Sequence, residues 1–515
     1  MNEKKRFKMP SSYTVLFSII VFISLLTWII PSGQFEQREN MATGRLESVP
    51  GTYRRVEQTP QGLWEIAMAP VSGMLGTSTT NNEGMVIETP GAIEVGLFII
   101  IIGGFLGVVQ KTGAIDVGIA ELIRKNKGNE KRLIPILMTL FALGGTTYGM
   151  AEETMAFYAL LIPVMIAAGF DSIVAVGVIL GGAMIGVLGS TVNPFSTGVA
   201  SQSVGLSPGD GIVWRLIILV LSLIVGIWWV YRYASKVEKD QSNSLVDDYE
   251  ADKLHFAIDE HALNATLTKS QKVSLFLFGL TFVIMVISLV PWDMLNPNWT
   301  FFVTLSEGIQ SIPILGDVYG TGALPLGWWF FREITMLFMV MAIIIGKLAG
   351  MKEDSLIASF MMGANDLLGV ALIVGLARGI QVVMNDGQMT ATVLEFGSHI
   401  MEGIPHGIFG FLTLLFYMPM SFLIPSTSGL ASATMSIMGP LGESVGVHAS
   451  VVITAFQSAT GLVGLLTPTS AVTMGALAIA RVGYGKWFKF IFPLWVMLFF
   501  ISAIVITIAS FLSTV

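Results

Sequence analysis

The run "FIFPLWVMLFFISAIVITIASFL" at 490–512 contains no charged residue. As a helix it is long enough to cross the ~30 Å hydrocarbon core of a bilayer, which takes about 20 apolar residues. "YTVLFSIIVFISLLTWII" at 13–30 reads the same way. At that depth every backbone polar group needs an internal partner, so a chain of such runs folds as helices or as a closed barrel. The ten-residue alternation of a barrel is absent. The reading is therefore an all-α polytopic membrane protein. Composition agrees: 53% of the 515 residues are hydrophobic, only 12% are charged, and mean hydropathy is +0.74. Soluble chains of this length carry more charge. The absence of cysteine excludes disulfides, thiolate nucleophiles and cysteine metal sites. The first run ends in "WIIPSGQF" with no Ala-x-Ala site, which predicts an uncleaved anchor.

The pattern predicts about nine transmembrane helices, near 13–31, 91–110, 172–205, 212–234, 273–291, 329–349, 367–384, 446–480 and 487–512. Two further apolar stretches, 133–170 and 404–444, are interrupted by Gly, Thr, Ser or Pro and read as re-entrant hairpins. Of the 28 Lys and Arg, 21 fall in the N-terminus (Lys4, Lys5, Arg6, Lys8), 111–132, 232–272, Lys347, Lys352 and 481–489. The stretches 291–328 and 385–403 hold none. By the positive-inside rule the N-terminus is cytoplasmic and the C-terminus outside. The loop at 32–62 dissents with Arg38, Arg45, Arg54 and Arg55, balanced by Glu36, Glu39, Glu47 and Glu57. The organisation predicted is a first half at 1–234, a solvated cytoplasmic linker at 235–272 and a second half at 273–515.

The halves are related by a constant shift. Adding 274 carries Val108, Val109 and Gly113 onto Val382, Val383 and Gly387, and Pro194 and Ser196 onto Pro468 and Ser470. It also carries Gly209 and Gly211 onto Gly483 and Gly485. An odd number of crossings between paired segments makes the repeats inverted, the layout of many secondary transporters. The span containing "GSTVNPFSTG" (189–198) exceeds thirty residues, and Pro194 both removes a donor and disfavours helix at Asn193. "LLTPTSAV" (465–472) and "LIPSTSGLAS" (423–432) break in the same way. Freed backbone groups at membrane depth are tolerated where they line a protein-enclosed cavity. The candidate substrate-binding residues there are Ser190, Thr191, Asn193, Ser196, Thr197, Ser426, Thr427, Ser428, Thr467, Thr469 and Ser470. Hydroxyls with half-helix N-termini suit a carboxylate, and free carbonyls suit Na⁺. The bland alternative is that these hydroxyls bond their own carbonyls and cushion the proline kinks.

Glu152 and Glu153 of "YGMAEETMA" stand out, because an intramembrane carboxylate is costly and by default functional. Under the shift they fall on Ser426 and Thr427, at the first hairpin's tip. Adjacent residues diverge by ~100° around a helix, so one Glu can cap the helix while the other faces the cavity. Arg378 reads as a carboxylate partner or as an ion pair with Asp386 or Asp366. Arg332 and Glu333 read as a local interfacial pair. His399, His406 and His448 lack metal-ligand spacing, the 28 Met read as packing, and "GGFLG" at 103–107 reads as close-packing glycine rather than a dinucleotide loop.

The runs "YGMAEETMAFYALLIP", "VNPFSTGVASQSVGL" and "TPTSAVTMGALAIARVGYGKWFKF" resemble the C4-dicarboxylate anaerobic carrier-like family. Within it they are most similar to the branch labelled basic amino acid (arginine/ornithine) antiporters. The resemblance covers nearly the whole chain. It implies an ion-transporter-superfamily-like elevator fold with scaffold and transport domains, a homodimer, and a bacterial inner membrane. It leaves the substrate open, because the family's name and the branch's label disagree. Two carboxylates at a hairpin tip without lysine repel an anion by several kcal/mol at reduced dielectric. A basic amino acid is therefore preferred over a C4-dicarboxylate coupled to a cation. The expected function is a secondary active transporter, an antiporter, with Na⁺ or a proton as possible coupling ion, no other cofactor and no nucleic-acid partner. An intramembrane enzyme is the remote alternative: there is no HExxH, no GxGD-type pair and no convincing Ser–His dyad.

Overall fold

A computed structural model describes residues 12–40, 45–80, 86–125, 130–256, 265–290, 292–320 and 322–513. Lys4, Lys5, Arg6 and Lys8, and the last two residues, lie outside them. The chain opens with helices α1 (Ser12–Leu26), α2 (Leu63–Leu75), α3 (Ile93–Lys111), α4 (Ala114–Lys125), α5 (Leu133–Thr147), α6 (Met155–Ala167), α7 (Ser172–Leu188), α8 (Val199–Ser203) and α9 (Ile212–Lys239), the last running five residues past the boundary expected at 234. The linker forms α10 (Tyr249–His255). Then follow α11 (Lys269–Leu289), α12 (Trp292–Leu295), α13 (Phe301–Gln310), α14 (Leu315–Tyr319), α15 (Phe331–Leu348) and α16 (Glu353–Asp386). The chain closes with α17 (Thr390–Met401), α18 (His406–Leu423), α19 (Thr427–Ser444), α20 (Ala449–Leu466), α21 (Ala471–Ile479) and α22 (Tyr484–Leu512). The 274-residue shift moves α5 onto 407–421, where α18 lies, and α9 onto 486–513, where α22 lies.

The chain is mostly helical but not all-α. Three two-stranded antiparallel ladders are present among the described residues: β1 (Gly33–Gln34) with β4 (Arg54–Arg55), β2 (Gln37–Asn40) with β3 (Arg45–Ser48), and β5 (Gly76–Thr80) with β6 (Val86–Pro90). Their strands are two to five residues long and mostly polar, too short for a two-residue period to register. Seven stretches among the described residues are long and apolar enough to cross a membrane: six of the nine expected, and α18, which lies in the stretch 404–444 expected to be a re-entrant hairpin. The reasons are local. α1 has 15 residues, α7 stops at 17 before its break, and α15 carries Arg332, Glu333 and Lys347. α16 starts at Glu353, fourteen residues before the expected boundary at 367.

Contacts divide the chain into two units. One comprises 94–130 and 256–371. Its core is aromatic: Phe105 stacks on Phe278 at 5.6 Å and meets Phe338 edge-on at 5.0 Å. Within it α3 and α16 touch backbone to backbone, since a Cβ on Gly103 or Gly107 would collide with the carbonyl of Gly363 or Ser359. Arg332 pairs with Glu94 at 2.6 Å, while Glu333 accepts the Phe330 N–H at 2.9 Å. The expected Arg332–Glu333 pair is therefore replaced by a bridge to α3.

The other unit comprises 1–93, 131–255 and 372–515 and holds every candidate site residue. α7 and α20 are buried along almost their whole length. α5 packs directly on α7: a Cβ on Gly145 would strike the Ala183 carbonyl, and one on Gly186 the Ala142 carbonyl. Such small-residue contacts bring helices together where lipid supplies no hydrophobic drive. α20 meets the end of α7 through Gly461 against Leu188, and Ser458 Oγ donates to the Leu188 carbonyl at 3.3 Å.

The first part of the linker is not simply solvated. Asp171, fully buried, caps α7 by accepting the Val174 N–H at 3.0 Å, and it accepts the hydroxyls of Tyr233 and Ser244 at 2.6 Å each. Asp252 accepts the Ser172 N–H at 3.1 Å, and Lys486 reaches Asp247 at 3.1 Å. Residues 244–252 are thus strapped to the start of α7, the last turns of α9 and the start of α22.

Candidate functional site

The first tip joins α5 to α6 through Tyr148–Ala151 and one tight turn, Glu152–Thr154. Gly149 turns the chain with φ +81, and the N–H groups of Tyr148, Gly149 and Met150 all converge on the Gly144 carbonyl. The two glutamates divide their roles. Glu153 is buried and its Oε2 accepts the Ala151 N–H at 3.1 Å, closing the end of the turn. Glu152 is half-buried, and among the described residues its carboxylate has no hydrogen-bond or ion-pair partner. The hydroxyl of Tyr148, in the same tip, is buried without a partner.

The first break spans Gly189–Asn193 and continues into a π-helical turn, Pro194–Gly198, before α8. Thr146, near the end of α5, stitches it to the tip. Its Oγ1 donates to the Gly189 carbonyl at 2.8 Å, and the Thr191 N–H donates to Thr146 Oγ1 at 2.9 Å and to its carbonyl at 3.1 Å. Asn193 lies against Gly149, and its Oδ1 accepts the Phe195 N–H at 2.9 Å. Ser190 and Thr197 share a hydroxyl–hydroxyl bond of 2.7 Å.

The second tip, Ile424–Ser426, ends in Ser426, whose Oγ caps α19 at the Gly429 N–H (3.3 Å). Thr427 and Ser428 follow, half-buried. The second break spans Thr467–Ser470. Thr467 and Thr469 bond each other at 2.8 Å, Thr469 Oγ1 donates to the Phe422 carbonyl of α18 at 3.0 Å, and Ser470 caps α21 at the Thr473 N–H (3.3 Å). Each tip therefore docks on the break of its own half. α19 packs across on the π turn and α8, and α21 on α6 and the Glu152 turn.

Several candidate hydroxyls thus have local work: Ser426 and Ser470 cap, while Ser190, Thr191, Thr197, Thr467 and Thr469 brace the breaks. Glu152 and Ser196 retain unpaired polar groups. Arg378 forms no ion pair with Asp386 or Asp366. Its Nη1 donates to Gln381 Oε1 at 3.1 Å, and the Gln381 amide lies beside Gly429 at the second tip. Sequence reasoning misses Gln457. It is fully buried in α20, with both amide atoms unpaired. The signal that could have found it is one amide within the apolar run "ASVVITAFQSATGLVGLL". No group of three or more His, Asp or Glu side chains among the described residues is arranged to hold a metal ion.

The profile of the C4-dicarboxylate anaerobic carrier family (DcuC) matches residues 9–511. The chain is 30% identical over 526 residues to the Escherichia coli K12 protein named "Putative basic amino acid antiporter YfcC", covering 98% of this chain and 96% of that one. It is 31% identical over 548 residues to an uncharacterized protein of Haemophilus influenzae, covering 98% of each. Solved structures it resembles include the Alcanivorax borkumensis YdaH transporter (14% identity, TM-score 0.41, covering 97% of this chain and 98% of that one). Neisseria gonorrhoeae MtrF, described as illuminating a class of antimetabolite efflux pumps, gives 14% identity and a TM-score of 0.42, covering 98% and 95%. On the match of the family profile along almost its whole length, this chain belongs to the C4-dicarboxylate anaerobic carrier family of membrane transporters.

Proposed function

We propose that the chain is a secondary transporter of basic amino acids, working by exchange across a bacterial inner membrane. The observation that carries this reading is Glu152: a carboxylate without a partner, beside a second carboxylate, at the tip of a helix pair. A cationic side chain gains from that pair, whereas an anion there is repelled by several kcal/mol at reduced dielectric. The name of the Escherichia coli relative points the same way. The hairpin-bearing part moves between two access states in this reading, in a homodimer, with Na⁺ or a proton as the coupling ion of any net flux. A second reading, a cation-coupled C4-dicarboxylate carrier, is favoured by the family name and by Arg378, whose hydrogen-bond partner Gln381 lies beside Gly429 in the first turn of α19. Counterflow in proteoliposomes loaded with arginine, ornithine, lysine, fumarate or succinate separates the two. Exchange of arginine or ornithine is expected. Exchange confined to the dicarboxylates replaces the first reading with the second.

The proposed orientation has its own test, which the cysteine-free chain makes direct. Ser242→Cys is expected to label only from the cytoplasm and Asn296→Cys only from outside. Reversed labelling inverts the topology, and labelling of both from one side removes the inverted repeat.

A further inference from the structure

The segment 290–330 begins and ends at one level. It follows α11, which is long and apolar enough to cross a membrane. The Ser288 carbonyl at the end of α11 accepts the N–H groups of Gly327 and Trp329 at 2.9 and 3.2 Å, so α15 starts beside the point where α11 stops. Trp292 Nε1 donates to the Ile287 carbonyl at 2.8 Å, inside the last turn of α11. Against that indole lie Trp299 and Phe302, with ring centroids at 6.3 and 6.1 Å. α13 carries Phe302 and is therefore held at the depth where the α11 span ends.

α13 is inside out for a helix in water. Its protein side is Phe302, Ser306 and Gln310: Ser306 is buried with its hydroxyl 3.5 Å from that of Tyr319, and Gln310 Nε2 donates to the Ala323 carbonyl at 3.2 Å. Another side is an open apolar groove lined by Phe301, Thr304, Leu305, Gly308, Ile309 and Ile312. Phe301 is 69% exposed and Leu305 48%. Thr300, Glu307 and Ser311, all exposed, make a third side. At ~100° per residue the three sides stand roughly 120° apart. A helix lying along the boundary of a bilayer needs these three, one each for protein, acyl chains and water.

Charge decides between lipid and a second copy of the chain as the cover of this groove. A twofold contact sets a patch against itself. From 291 to 328 there is no Lys or Arg, and the charged residues are Asp293, Glu307 and Asp317. A second copy would bring carboxylates together with no cation in the segment to pair with them. Four of the chain's 11 Trp also lie there (Trp292, Trp299, Trp328 and Trp329), the residue enriched where hydrocarbon meets water. We propose that α13 lies in the headgroup boundary of the bilayer, with Phe301, Leu305, Ile309 and Ile312 among lipid acyl chains, and moors the unit of 94–130 and 256–371 to the membrane surface.

The test uses the full-length chain in vesicles of phosphatidylcholine and phosphatidylethanolamine, with Leu305→Cys or Glu307→Cys carrying an environment-sensitive fluorophore. The chain has no other cysteine, so each label is unique. Both positions are exposed, so neither label disturbs packing. At Leu305→Cys the emission is expected to shift to the blue and to resist quenching by aqueous iodide. Phosphatidylcholine with a nitroxide near the headgroup should quench it more than phosphatidylcholine with the nitroxide at the chain end. At Glu307→Cys iodide is expected to quench and the lipid nitroxides to have less effect. A Leu305→Cys label that iodide quenches as readily as the one at Glu307→Cys overturns the proposal, because the groove then faces water. A label that neither quencher reaches also overturns it, and joining of Leu305→Cys chains by oxidation then assigns the groove to a second copy.

Discussion

Glu152→Gln is expected to lower the affinity for a basic amino acid by roughly ten- to hundredfold while leaving the folded protein as stable as before. A charge-assisted contact is worth about 1.5–3 kcal/mol, and each ~1.4 kcal/mol is a factor of ten. Glu152 supports no backbone group, so its amide replacement removes charge without removing a cap. Glu153→Gln is the internal comparison. Its side chain still offers an oxygen to the Ala151 N–H, so the turn survives and the loss of affinity should be smaller. KM for exchange and the melting temperature of the purified protein decide the matter. Normal exchange by both variants and by the double variant would leave the pair as a helix-terminal device and remove the argument for a cationic substrate.

The second large effect is expected at Gly149. Alanine there is strained twice: by φ +81, and by a Cβ driven into the side-chain amide of Asn193. Left-handed backbone at a non-glycine residue costs about 1–3 kcal/mol, and the collision adds an overpacking cost of similar order. Gly169 separates the two, since it has φ +87 and nothing stands within 4 Å of where a methyl group would go. Gly169→Ala should show only the backbone cost and keep transport. Gly149→Ala should lose exchange activity by about tenfold or more, because Asn193 can no longer sit on the tip. Equal behaviour of the two alanines would show that the Gly149–Asn193 contact has no functional weight.

What the sequence disclosed follows the range of the forces involved. Apolar run length is a local signal, and the long helices at 93–111, 212–239 and 484–512 lie close to where it puts them. Proline and glycine act within a residue or two, so the interruptions at 189–193, 424–426 and 467–470 were legible as well. The early start of α16 was hidden because Glu353, Asp354, Asn365 and Asp366 look like loop residues, while the packing of Gly363 on Gly103 is a long-range fact. Asp171 gave no warning either: its partners Tyr233 and Ser244 are 62 and 73 residues away. In the candidate site, residue types suggested a polar centre but not the division of labour. Caps and orphans differ only in where neighbouring chains come to rest, so Gln457 shows in the sequence only as one amide in an apolar run, while Ser426 and Ser470, beside prolines, draw attention.

Thr146 has a consequence for how such a centre opens. It supplies the acceptors for the Thr191 N–H and donates to the Gly189 carbonyl, so one residue of α5 partners both an amide and a carbonyl of the first break. At membrane depth an amide left without a partner costs several kcal/mol. α5 and the break therefore cannot part as dry surfaces. Separation has to be accompanied by water, or by polar groups of an incoming solute, taking over those hydrogen bonds. In the proposed transport cycle, wetting of this seam and movement of the tip are one event.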